Sequence, residues 1–107
     1  MNEIKPQLQQ LLDAPGEQKP LMFFNYCRKL IVAKNQGDIT LESAGHEIAD
    51  AMYVRELDDP LFAEITSLAG RLELPHHTKA VNADAAWDYL VALVLEYGAR
   101  YTEKVSL

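Results

Sequence analysis

The residue types best suited to chemistry sit together in one short stretch, His46, Glu47, Ile48, Ala49 and Asp50, with Glu42 one helical turn before it. Two histidines four residues apart on a helix can hold zinc while a Glu next to the first serves as general base. Here Asp50 stands at the second ligand position. Glu42, His46 and Asp50 recur at i, i+4, i+8 and project on one helical face, so a metal-dependent enzyme would draw its ligands from these three. Only one of them is an imidazole. The competing reading is a solvated helix face on which His46 and Asp50 form an i,i+4 pair, and the spacing favours it. No metal and no other cofactor is expected.

The remaining candidates carry less. His76 and His77 follow Pro75 in a polar stretch, where adjacent side chains of an extended segment point in opposite directions and chelate poorly together. Cys27 lies among Phe23, Phe24 and Ile31 at helical spacing, which predicts a buried, protonated and unreactive thiol. Ser43, Ser67 and Ser106 lack the glycines of a nucleophile elbow, and no glycine-rich phosphate loop or calcium-binding loop is present. The residues therefore point to binding rather than catalysis.

Charge supplies the binding surface. From Asp38 to Glu64 there are eight acidic residues (Asp38, Glu42, Glu47, Asp50, Glu56, Asp58, Asp59 and Glu64) against the single base Arg55, whereas the rest of the chain carries nine bases and eight acids. The net charge of -6 is thus concentrated in this segment, where it can steer a basic partner. Capping and helix-dipole roles account for Glu42, Asp58, Asp59 and Glu64 but not for Glu47, Asp50 and Glu56. Tyr26, Val32, Tyr53, Val54, Tyr89 and Leu93 fall off the main apolar stripes of their helices, and exposed aromatics are enriched at interfaces. Exposure is expected for Tyr26 and Tyr53, burial for Tyr89 and Leu93. The expected partner-binding residues are Glu42, Glu47, Asp50, Tyr53 and Glu56.

The elements that must carry these residues are helical. Leu8, Leu11 and Leu12 share one side of a helix over residues 5–13, ended by Ala14, Pro15 and Gly16. Pro20 can open a second helix through Phe23, Phe24, Cys27, Leu30 and Ile31, with Gly37 as its stop. Thr40 is placed to cap a third, whose stripe is Leu41, Ala44, Ile48, Ala51 and Met52. Asp58, Asp59 and Pro60 signal a fourth, with Leu61, Phe62, Ile65, Leu68, Ala69 and Leu72 as its stripe and Pro75 forbidding extension past Leu74. After a linker over residues 75–81, Asn82 or Asp84 can cap a fifth helix running to about Lys104 through Trp87, Leu90, Val91, Val94, Tyr97, Gly98 and Tyr101. Apolar residues cover most of its circumference, which places it centrally. No segment shows period-two alternation.

The expected architecture is all-α, a compact bundle of about five helices forming one domain over residues 1–107, with the long hydrophobic C-terminal helix central. A composition of 49% hydrophobic and 24% charged residues suits a globular chain rather than a disordered one. The longest apolar run, residues 89–95, is far short of the roughly 20 residues a membrane span needs, and no signal peptide is evident. A lone cysteine and a pI near 4.9 fit the cytoplasm and disfavour nucleic acid or an anionic membrane as partner. Three functions follow as expectations. The leading one is protein-protein binding, with a neutral or basic partner or as a homodimer. The second is an immunity- or antitoxin-type inhibitor whose acidic third helix covers a basic toxin. The third is the metal-dependent enzyme built on Glu42, His46 and Asp50.

Overall fold

The structure, a computed structural model, describes residues 4–54, 57, 59–73 and 83–101. Among the described residues five α-helices follow one another: α1 (Ile4–Asp13), α2 (Lys19–Asn35), α3 (Leu41–Ala49), α4 (Pro60–Glu73) and α5 (Ala83–Tyr101). Single 3-10 turns at Gly16–Gln18 and Asp50–Tyr53 lead into α2 and out of α3. Among the described residues there is no strand, and no helix is long and apolar enough to cross a membrane.

Local chemistry explains most helix ends. α2 stops in a Schellman motif: the Asp38 amide donates to the Ala33 carbonyl at 2.8 Å and the Gly37 amide to Lys34 at 3.0 Å. The residue between helix and turn must then be left-handed, and Gly37 has φ +84°, a conformation in which a Cβ would be strained. Thr40 caps α3 as expected, its Oγ1 accepting from the Ser43 amide at 3.0 Å. Asp59 caps α4, with Oδ1 accepting from the Leu61 amide at 2.7 Å, and Pro60 occupies the first helical position, where its missing N–H costs nothing.

The core lies where α2, α4 and α5 converge. Phe23 of α2 meets the ring of Phe62 at 4.8 Å and that of Tyr97 at 5.3 Å, both edge-on, an arrangement worth about 0.5–1.5 kcal/mol per pair beyond area burial. Cys27, Leu30, Ile31, Ile65, Leu90 and Val94 fill the space around them. Trp87 is buried, as its place at the centre of the widest stripe predicts, and its indole N–H donates to Asn35 Oδ1 at 3.2 Å while Lys34 lies over the ring. Burial pushes the Cys27 thiol well above its ordinary value, in keeping with its place on the apolar stripe. Leu68 is only partly buried, at the margin of the α4 stripe.

Two features set the register of α5. Gly98 lies under the Phe24 ring, so closely that a Cβ there would fall 2.5 Å from Cδ1 and Cε1; the missing side chain is what lets α2 and α5 approach. At the end of α5, Arg100 Nη1 donates to both oxygens of Asp59 at 3.2 Å, and the Tyr101 hydroxyl donates to Oδ2 at 2.7 Å. Partial burial opposes ionisation of Asp59, but the Tyr101 hydroxyl, the Leu61 amide and the Arg100 guanidinium outweigh it and hold the carboxyl below its usual range.

Gly98→Ala should therefore destabilise the protein by roughly 1–3 kcal/mol, as overpacking does. The change is read from denaturant unfolding, and a midpoint equal to wild type would show that Phe24 moves aside freely. Asp59 contributes stability as an anion, a contribution complete above the unfolded carboxyl value near 3.8 and lost as the pH falls through its lower folded value. The stability gap between wild type and Asp59→Asn should accordingly be constant around neutral pH and close below about 3.8.

Candidate functional site

α3 carries the expected site, and the structure divides its acidic residues into two groups. Ala44, Ile48 and Ala51 are wholly buried against the rest of the bundle, and α3 packs most extensively on α4. Glu47 falls on this inner stripe, three residues after Ala44 and four before Ala51, and is only 4% exposed. Its expected role as a partner-binding residue requires an exposed side chain, and its burial corrects that expectation. The signal was available, since i+3 from Ala44 and i-4 from Ala51 define the core side of the helix.

Tyr26 is the second correction. It was expected at the surface, yet it is buried at i+3 from Phe23, and its hydroxyl donates to the Glu47 carbonyl at 2.6 Å. That bond crosses from α2 to the last turn of α3, where helix carbonyls lack intrahelical partners. Burial, and after it the negative charges of Glu47 and Asp50, raises the Tyr26 phenol far above its ordinary value, so it remains a donor throughout the accessible pH range.

On the outer side, Glu42 and His46 are exposed and Asp50 is half-buried. His46 Nε2 lies 3.5 Å from Asp50 Oδ2, an i,i+4 contact. Glu42 lies two turns from Asp50, about 12 Å along the axis at 1.5 Å per residue, too far for the two to share one ion. Instead one donor atom each from His46, Glu47 and Asp50 lies within 4.8 Å of the others. Glu47 therefore takes the place in the cluster that sequence spacing assigned to Glu42.

The α3 stripe was expected to continue through Met52. At Asp50, however, the backbone tightens into a 3-10 turn, which advances about 120° per residue instead of 100°. Ala51 stays in the core and Met52 turns outward, 59% exposed. Sequence reasoning missed Met52 because the change of helical type leaves no mark on apolar spacing. Glu56, the Tyr53 side chain, His76 and His77 lie outside the described residues.

The other acids of the segment are engaged elsewhere. Asp59 closes the α4–α5 junction, and Glu64 accepts a hydrogen bond from the Tyr89 hydroxyl at 2.7 Å. Tyr89 is 52% exposed, against the expectation of burial, while Leu93 is buried as expected. An open groove of about 430 Å³ on α2 is lined by Arg28, Lys29, Val32, Ala33, Gln36 and Asp38, and none of Glu42, His46 or Asp50 reaches it. What the α3 edge offers is an acidic surface with an apolar neighbour. Comparison of the chain with protein-family models, with curated proteins and with solved structures finds no match in any of the three.

The division of α3 into inner and outer acids has a direct consequence. Glu47→Lys, which reverses a buried charge, should cost at least about 2 kcal/mol, whereas Glu42→Gln should change stability by no more than about 0.5 kcal/mol. Thermal melts of the two variants measure the contrast. Equal, small effects would return Glu47 to the surface.

Proposed function

We propose that this protein acts by binding another protein through the outer edge of α3, with Glu42, His46 and Asp50 as its charged rim and Met52 as its apolar anchor. The observation that carries the reading is Met52, the most exposed of the large apolar side chains described, one turn beyond an acidic helix edge. Methionine is enriched at interfaces and repacks easily against varied surfaces. Acidic rim residues raise the rate of encounter with a basic partner more than they raise the strength of the final complex. The net charge of -6 favours a basic or neutral partner, with a second copy of the chain as the other candidate. Glu42 and Asp50 keep the role first expected of them, buried Glu47 is left out of the rim, and Met52 joins as an apolar contact. No catalytic role and no nucleic-acid or membrane contact forms part of the reading.

A photo-crosslinking residue placed at position 52, with a control at the exposed Lys29 of α2, tests it in source cells. A discrete product, either the dimer of this chain or a conjugate with one other protein, is expected from position 52 and not from the control. Adding Glu42→Gln and Asp50→Asn should slow association with that partner by about tenfold at low salt, an effect that disappears at about 1 M salt, where the Debye length is near 3 Å. Identical products from both positions would rule out the α3 edge as the binding surface.

A further inference from the structure

The donor set at the end of α3 matches the needs of a borderline divalent cation. We propose that His46 Nε2 and the carboxylates of Glu47 and Asp50 form a zinc-binding site, independently of whether the same edge binds a protein. Asp50 is the apex of the cluster, i+4 from His46 and i+3 from Glu47, so each of the other two is its neighbour on the helix surface. Tetrahedral zinc, with donors at 2.0–2.2 Å, requires donor-to-donor separations of about 3.3–3.6 Å. His46 Nε2 and Asp50 Oδ2 already stand 3.5 Å apart, and a Glu47 carboxylate oxygen lies within 4.8 Å of a donor atom on each of the two residues.

Three further features favour a cation here. The cluster occupies the last turn of α3, where the negative end of the helix dipole stabilises positive charge. Glu47 is buried and its carbonyl is held by Tyr26, so one ligand is anchored to the core while the His46 and Asp50 side chains, 46% and 31% exposed, leave a path from solvent. One imidazole with two carboxylates suits zinc better than magnesium or calcium, which take oxygen donors. Three protein ligands leave a fourth coordination position open.

The test is calorimetric titration of the tag-free full chain, freed of metal by a chelator, with Zn2+ and separately with Mg2+. One equivalent of Zn2+ should bind, Mg2+ should not, and His46→Ala or Asp50→Asn should each weaken Zn2+ binding at least tenfold. His46 is exposed and Asp50 only half-buried, so circular dichroism of the two variants should match wild type. A Glu42→Gln variant should bind as wild type does. No zinc heat at millimolar Zn2+, or binding that survives His46→Ala and is removed by replacing His76 and His77, would overturn the proposal. The crosslinking result at position 52 is unaffected by either outcome.

Discussion

Phe23 is fully buried, and its ring is the point at which three helices meet: Phe62 of α4 on one side, Tyr97 of α5 on the other, both edge-on. Each contact joins parts of the chain far apart in sequence, so closing the intervening loops must be offset by what the rings bury. The close passage of Gly98 beneath Phe24, one residue along α2, belongs to the same seam. Together they fix both the spacing and the register of α2 against α5. The Tyr97 hydroxyl, buried with no hydrogen-bond partner among the described residues, costs about 1–3 kcal/mol at that same place. Its ring contacts with Phe23 and Tyr101 offset part of this.

α3 depends on that seam at one remove. Because α2 is held by Phe23 and Phe24, Tyr26 faces α3 and reaches the Glu47 carbonyl, while Ala44, Ile48 and Ala51 let the short helix lie close to its neighbours. The acidic segment, uniform as a string of charges, is thereby sorted into residues with separate duties. Glu47 goes inward, Asp59 ties α4 to α5, Glu64 receives Tyr89, and Glu42 and Asp50 stay available at the outer edge. Both proposals made for this protein concern what that sorting leaves on the last turns of α3.

Much of the architecture was legible in local signals. Gly37, Thr40 and the Asp59-Pro60 pair end or start helices through bonds to residues within five positions, and such bonds form whatever the rest of the chain does. The stripe Phe62, Ile65, Ala69 and Leu72 was legible because one buried face leaves a clear period. Tyr26, Leu93 and Tyr89 were harder. α2 and α5 are apolar over much of their circumference, and on such helices the period does not say which flank a neighbour will cover. Tyr26 and Leu93 are covered, whereas Tyr89 finds Glu64 at the surface.

The sequence by itself determined the helical class, the capped ends of α2, α3 and α4, the burial of Cys27 and Trp87, and the concentration of negative charge between residues 38 and 64. All of these follow from composition or from interactions within one or two helical turns. Only the tertiary structure decided that Glu47 and not Glu42 joins His46 and Asp50, that Met52 faces out, and that Asp59 spends its charge on Arg100. Those outcomes depend on how a second helix covers the first and where α3 tightens into a 3-10 turn. Bonds such as Tyr26 to Glu47, 21 positions apart, and Arg100 to Asp59, 41 positions apart, act across helices, and side-chain periodicity carries no information about them.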